Sequence, residues 1–178
     1  ERFAAAMESM ITPRSQKWHR LKATDENING DPEAKEWFDE VNRILFSARY
    51  SPDANFSSQN HENYLQLGAF GTGCLFIDDR STGGIRYSAI HLSELFIATN
   101  HEGIVDTVYR KFKMTADQAM RNTEWRERLP DKITGSNNKW AEFEFLHAVR
   151  PRMDVDPSRF DFAGMPWESS YISLEGKA

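Results

Sequence analysis

Between residues 34 and 48 apolar side chains recur in a regular rhythm. Ala34, Trp37, Phe38, Val41, Ile44, Leu45 and Ala48 fall at the three- and four-residue spacing of one helix face. Asp31 before Pro32 supplies an N-cap acceptor and then proline at the first helical position, and Ser51-Pro52 stops the pattern near Tyr50. The spacing predicts a helix over residues 31–50. Before it, residues 2–11 are amphipathic and end at Thr12-Pro13, because proline disfavours helical geometry in the residue before it. Residues 14–21, carrying Trp18, form a second short helical candidate, and residues 22–30 read as loop. Ser57 or Ser58 can cap a further helix with Tyr64, Leu65 and Leu67, broken at Gly71-Thr72-Gly73.

From Cys74 onward the period changes. Cys74 to Ile77 and Ile85 to Leu92 read as two strands joined across residues 78–84, a β-hairpin with a longer loop. Residues 96–99 are β-like, and Asn100-His101-Glu102-Gly103 is a turn. Residues 104–112 then alternate as a strand with both faces partly covered or near an edge. Thr115-Ala116-Asp117-Gln118 is a capping box that opens a helix fading near Trp125. Residues 140–149 form a strand with Phe143, Phe145, His147 and Val149 on one face; a Pro- and Asp-rich loop over 153–166 and a last strand over 168–174 follow. Helices first, then mainly antiparallel strands with one inserted helix, is an α+β order rather than alternating βαβ. We expect a single α+β domain over 1–178, with a helical arm over 1–30, helices over 31–73 and a sheet-rich part over 74–178.

The 178 residues include 22 Lys and Arg against 27 Asp and Glu, a formal charge of -5. That removes a chain-wide basic footprint for nucleic acid but still allows a local patch. One cysteine, Cys74, excludes an internal disulfide framework and a Cys-rich zinc site. No apolar run approaches the roughly 20 residues that a membrane helix needs. The chain opens on Glu1 with an already helix-like segment, so we expect a piece of a longer polypeptide, cut also after Lys177-Ala178.

Candidate chemistry is sparse. Gly71-Thr72-Gly73 lies between a helix and a strand, the wrong order for dinucleotide binding, and fits a helix C-cap with a tight strand entry. Asp154-Val155-Asp156 opens like a calcium loop, but Arg159 and Met165 stand where glycine and glutamate are required. The five histidines show no i, i+3 or i, i+4 pairing for zinc; His91 and His147 fall in strands and read as hydrogen-bonded sheet residues. Cys74 sits inside an apolar strand, where a buried inert thiol is expected. Glu142 and Glu144 share one strand face opposite Phe143 and Phe145, the alternation of a solvated strand face. No cofactor and no reactive set follows, which points away from an enzyme. Arg110, Lys111 and Lys113, with Arg150 and Arg152, could touch phosphates, so a nucleic-acid-binding module is the alternative reading.

Several ordered phrases carry a resemblance: Ile11-Thr12-Pro13-Arg14-Ser15-Gln16-Lys17-Trp18-His19, Phe70-Gly71-Thr72-Gly73-Cys74-Leu75, Ile90-His91-Leu92-Ser93-Glu94, Gly103-Ile104-Val105-Asp106-Thr107-Val108-Tyr109-Arg110, Met114-Thr115-Ala116-Asp117-Gln118, His147-Ala148-Val149-Arg150-Pro151-Arg152 and Ser169-Ser170-Tyr171-Ile172. Together they resemble the N-terminal part of the portal (head-to-tail connecting) proteins of short-tailed bacteriophages. The resemblance implies a structural virion subunit, assembled in the bacterial host cytoplasm into a dodecameric ring at the capsid vertex. It implies passage of double-stranded DNA during packaging and ejection. It also implies a packaging motor (terminase), scaffold or capsid protein and tail adaptors as partners, and no membrane. The chain would correspond to the outer, wing-like α+β part. Arg14, Trp18, Arg110, Lys111, Arg150 and Arg152 are the candidate interface or phosphate contacts. Trp18, Trp125, Trp140 and Trp167 are either interface anchors or caps on satellite clusters within the subunit. Without the channel segment, the isolated 178 residues are expected to be monomeric or weakly associated.

Overall fold

The computed structural model describes residues 1–80, 83–122 and 125–175. The chain forms two compact units, Glu1–Leu92 and Ser93–Ala178. The fold is α+β, as the order of periodicities implies.

The first unit holds helices α1 (Arg2–Ile11), α2 (Glu26–Gly30), α3 (Pro32–Arg49) and α4 (Phe56–Phe70), then strands β1 (Cys74–Asp79) and β2 (Ile85–Ile90). Asp31 caps α3 as the sequence predicts, its carboxylate accepting from the Glu33 and Ala34 amides at 2.7 and 3.2 Å. The α3 stripe is less buried than its pattern suggests: Trp37 and Ile44 are exposed, and the buried side chain is Asn42. β1 and β2 pair antiparallel from Cys74↔Ile90 to Asp79↔Ile85; Ser81 and Thr82 of the predicted turn lie outside the described residues. The strand expected to reach Leu92 ends at Ile90, so His91 lies just beyond it and is exposed. Cys74 is half-buried rather than buried.

Three corrections arise in this unit, two where an asparagine side chain takes over backbone hydrogen bonds and one where ring packing sets a helix start. Residues 14–21 are not helical. Asn42 accepts from the Leu21 amide at 2.7 Å and donates to its carbonyl at 3.3 Å, so that backbone is satisfied while extended. Asn29 does the same for Ala23, at 3.0 and 2.9 Å, and lies in α2, which forms where loop is expected and is capped by Asp25. α4 begins at Phe56, not after Ser57 or Ser58, because buried Phe56 is fixed against Tyr50 and Tyr87 at ring distances of 5.3 and 4.9 Å. At its other end Gly71 is left-handed (φ 75°) and its amide donates to the Leu67 carbonyl at 2.9 Å.

The second unit is a four-stranded antiparallel sheet in the order β3 (Leu95–Thr99), β4 (Val105–Thr115), β5 (Glu142–Pro151) and β6 (Trp167–Ser173). The β-structure therefore divides into this sheet and the separate β1–β2 hairpin. β4 is an interior strand rather than an edge. Directly opposed residues share a sheet face. Phe112↔Phe145, Met114↔Phe143, Arg110↔His147 and Val108↔Val149 thus place the apolar residues of β4 and β5 on one side. Helices α5 (Ala116–Arg121) and α6 (Asp131–Thr134) join β4 to β5 and cover one end of that side. Phe112, Ala116, Ala119, Ile133, Phe143 and Phe145 form the core there, with Trp125 and Leu129 packed against it. The capping box forms as expected: Thr115 accepts from the Gln118 amide at 3.2 Å and Gln118 from the Thr115 amide at 2.9 Å. α5 stops at Arg121, short of the expected Trp125, whose ring lies against Phe145 and Tyr171 at 6.0 and 4.5 Å. Residues 123 and 124 lie outside the described ones. The sequence reading misses α6, a single turn set by the almost fully buried Ile133.

Candidate functional site

The six candidate contacts divide between the two units. Arg14 and Trp18 belong to the first unit, and Arg110, Lys111, Arg150 and Arg152 to the second. Within the sheet, Arg110 lies on the Phe112 side, while Lys111 and Arg150 lie on the opposite side.

Trp18 is half-buried. Its indole N–H donates to the Tyr50 hydroxyl at 2.9 Å, the Arg49 guanidinium stands 4.8 Å over its ring, and Phe56 stacks at 6.2 Å. Tyr50 in turn donates to the Thr12 carbonyl at 2.9 Å. The Thr12 hydroxyl meets the Tyr64 hydroxyl at 3.1 Å and accepts from the Asn60 amide group at 3.1 Å. This chain of polar groups ties the segment after α1 to α3 and α4. Burial raises the Tyr50 phenol above its ordinary value, although the Trp18 hydrogen bond and the Arg49 charge oppose it. Burial, helped by the Arg49 charge, lowers the His19 imidazole below its ordinary 6.5. Trp125 likewise packs inside its own unit, whereas Trp140 and Trp167 stay exposed.

The cations of the sheet are matched to carboxylates. Arg110 Nε binds Glu94 at 2.9 Å, with its guanidinium 4.5 Å over the Phe112 ring. Lys111 binds Glu144 at 2.9 Å, and Lys113 lies 3.6 Å from Glu142, diagonally across the β4–β5 register. Arg150 pairs with Glu168 across β5 and β6. Arg152 reaches Asp154 at 3.7 Å. Glu142 and Glu144 therefore serve as cross-strand ion-pair partners. Arg14 is exposed, 6.0 Å from the Tyr50 ring, with no ion-pair partner among the described residues.

His147 is buried in β5; its Nε2 lies 2.8 Å from the Ser169 hydroxyl, and its ring stacks on Tyr171 at 4.0 Å. That is the hydrogen-bonded sheet histidine the sequence suggests. Among the described residues no group of His, Cys, Asp and Glu is arranged to hold a metal ion, and no helix is long and apolar enough to cross a membrane. The features that sequence reasoning passes over are exposed apolar side chains: Phe70 in the first unit, Met153, Phe160 and Phe162 in the second. The signal for the last two was present, as phenyl rings in a loop otherwise rich in Asp and Pro.

Among the described residues, charges of both signs are largely paired within the chain, and several large apolar groups are left in solvent. The chain belongs to the bacteriophage head to tail connecting protein family, whose model it matches over residues 1–178. It is 28% identical over 176 residues to a protein of Bordetella phage BPP-1 named as a probable portal protein, covering 96% of this chain and 31% of that one. It is 24% identical over 180 residues to the portal protein of Salmonella phage epsilon15, covering 98% of this chain and 31% of that one. The chain thus spans about a third of the length of these relatives.

Proposed function

We propose that this chain forms part of the wall of a portal ring at the capsid vertex, a structural role without catalysis in which double-stranded DNA passes the assembled ring. The observation that carries this reading is the match to the connector family along the whole chain. Physical features support it. A ring subunit meets its neighbours through two different faces, head to tail. Large exposed apolar groups such as Trp37, Phe70, Trp140 and Phe160 supply material for such faces. Arg110, Lys111 and Arg150 are neutralised by carboxylates of the same chain, so they offer little to a phosphate backbone. A ring that lets DNA slide has no use for tight phosphate contacts. Arg14, without an ion-pair partner among the described residues, is the candidate cation for a contact between subunits. Packaging motor, scaffold or capsid protein and tail adaptors are the partners such a ring would meet.

The protein expressed from its natural reading frame should form rings visible by negative-stain electron microscopy. Monomers under all conditions, with no association with capsids, would overturn the reading. The alternative, a nucleic-acid-binding module, is decided by a duplex-DNA titration at low salt. Binding with a steep salt slope supports it, and no detectable binding removes it.

A further inference from the structure

We infer that the loop joining β5 to β6 on one copy of the chain seats a phenyl ring in a pocket walled by aromatic and serine residues along β6 on the next copy. The inference rests on the multi-copy assembly proposed above and specifies one of its contacts.

The loop, residues 152–166, exposes apolar side chains to an unusual degree. Phe160 is 104% exposed, Met153 98% and Phe162 86%. Three large apolar side chains left this exposed in one loop point to an interaction surface rather than an ordinary solvated turn. The loop is also held in shape. Its ends are tied by the Arg152 amide donating to the Pro166 carbonyl at 3.0 Å, and its middle by the Asp156 amide donating to the Ala163 carbonyl at 2.9 Å. Asp161 accepts from the Ala163 amide at 3.0 Å, and Asp156 from the Ser158 amide at 3.1 Å. Gly164 lies so close to the Arg159 carbonyl that a Cβ there would stand 1.9 Å away. A loop with this many internal bonds presents its rings at low ordering cost on binding.

The receptor is an open pocket of about 330 Å³ with Trp125, Leu129, Phe145 and Tyr171 on its apolar side and Arg128, Ser169, Ser170 and Ser173 on its polar side. A cavity of roughly 150 Å³ is large enough for a benzene ring, so by volume this one has room for a phenyl side chain. Charge favours the same occupant. The loop carries Asp154, Asp156 and Asp161 against Arg152 and Arg159, and Arg159 is already paired with Asp161. Arg128 has no ion-pair partner among the described residues and can meet the remaining carboxylate, Asp156. The same carboxylates repel phosphate, which makes DNA a poor occupant of this surface.

One copy does not fill its own pocket. The pocket runs along β6 from Ser169 to Ser173, beginning roughly 7 Å beyond the loop's exit at Trp167, yet Phe160 and Phe162 of the same copy remain in solvent. A projection and its receptor at different places on one chain generate a head-to-tail contact, which closes into a ring when the rotation permits.

The test uses protein expressed from its natural reading frame, with Cys74 and any other native cysteine replaced by serine as background. One population carries Phe160→Cys and the other Ser169→Cys, the latter an exposed residue that lines the pocket on the Phe145 face of the sheet. After mixing, assembly and mild oxidation, a disulfide-linked dimer is expected only from the mixture. Phe160→Ser with Phe162→Ser should weaken self-association about tenfold or more in sedimentation, with an unchanged thermal melt because both side chains are exposed. Rings without the mixed cross-link, formed by the double variant at wild-type concentrations, overturn the inference and leave the ring reading standing. A double variant that assembles normally but no longer enters capsids assigns the loop to a shell partner and also overturns it. If the wild-type protein shows no self-association, both readings fall together.

Discussion

The Tyr50 hydroxyl offers a sharp test of what holds the N-terminal segment in place. It accepts from the Trp18 indole and donates to the Thr12 carbonyl, both at 2.9 Å. Tyr50→Phe removes that one oxygen and keeps the ring, with its contacts to Phe46 at 4.7 Å and Phe56 at 5.3 Å. The Arg49 guanidinium over Trp18 is also kept. Two partners are then left short: the indole N–H and a carbonyl of buried Thr12. Each stranded buried group costs about 1–3 kcal/mol. Because water can reach half-buried Trp18, the expected total loss is roughly 2–4 kcal/mol. Urea unfolding followed by tryptophan fluorescence measures it. Hydrogen exchange should localise the loss to residues 1–23, with faster exchange there than in β4 and β5. Trp18→Phe deletes the donor but leaves Tyr50 able to bind Thr12, so the Trp18→Phe/Tyr50→Phe cycle should show a coupling of about 0.5 kcal/mol or more. A Tyr50→Phe protein within about 0.5 kcal/mol of wild type would refute the reasoning, since surface-like substitutions fall in that range.

Four further outcomes are expected. His19 has its imidazole lowered by burial and by Arg49, so the unfolded chain takes up a proton near pH 6.5 that the folded chain resists. Its contribution to stability is complete above that pH and is lost as pH falls below it. Thermal melts between pH 7.5 and 5.5 should therefore decline more steeply for wild type than for His19→Gln, and equal slopes would count against the assignment. Phe145→Ala empties the centre of the second core and should cost about 3–5 kcal/mol in denaturant unfolding, with loss of the Trp125 signal at lower denaturant. Thr115→Ala breaks the capping box and should cost about 1 kcal/mol in the same measurement. Lys111→Ala, which opens an exposed pair with Glu144, should change stability by less than about 1 kcal/mol.

The parts of the fold that could be read in advance are those written in local chemistry. Asp31-Pro32, Gly71 and the Thr115–Gln118 box mark element ends, and each does so with its own side chain or its own φ. The alternation of Phe143, Phe145 and His147 likewise shows which face of β5 is covered. Misreadings cluster where a distant side chain decides. Residues 14–21 have helical propensity, but Asn42 of α3 and Tyr50 at its C-terminal end bind Leu21 and Trp18 and hold the segment out of a helix. α6 exists because Ile133 needs a place against Phe145 and Ala119, a demand invisible in the four residues of the turn. In these places the tertiary contact outweighs a local preference that is worth only tenths of a kcal/mol per residue, by an order-of-magnitude comparison.

The candidate contacts were legible as residue types and not as a site, for an electrostatic reason. A run such as Arg110-Lys111 reads as a basic patch only while its partners are unknown. Register supplies those partners: antiparallel pairing brings Glu144 and Glu142 beside Lys111 and Lys113, and Glu168 beside Arg150, and the loop before β3 brings Glu94 to Arg110. The net charge of -5 records only the excess of acids over bases, whereas the ion pairs show that the cations of the sheet are already matched to carboxylates. In the ring proposed above, this arrangement would place recognition in apolar projections and in the few charges left unpaired. Substitutions at Phe160 and Phe162 should thus affect assembly more than substitutions at Lys111 or Arg150. The opposite order, measured by sedimentation on the same preparations, would return the basic residues to the centre of the function.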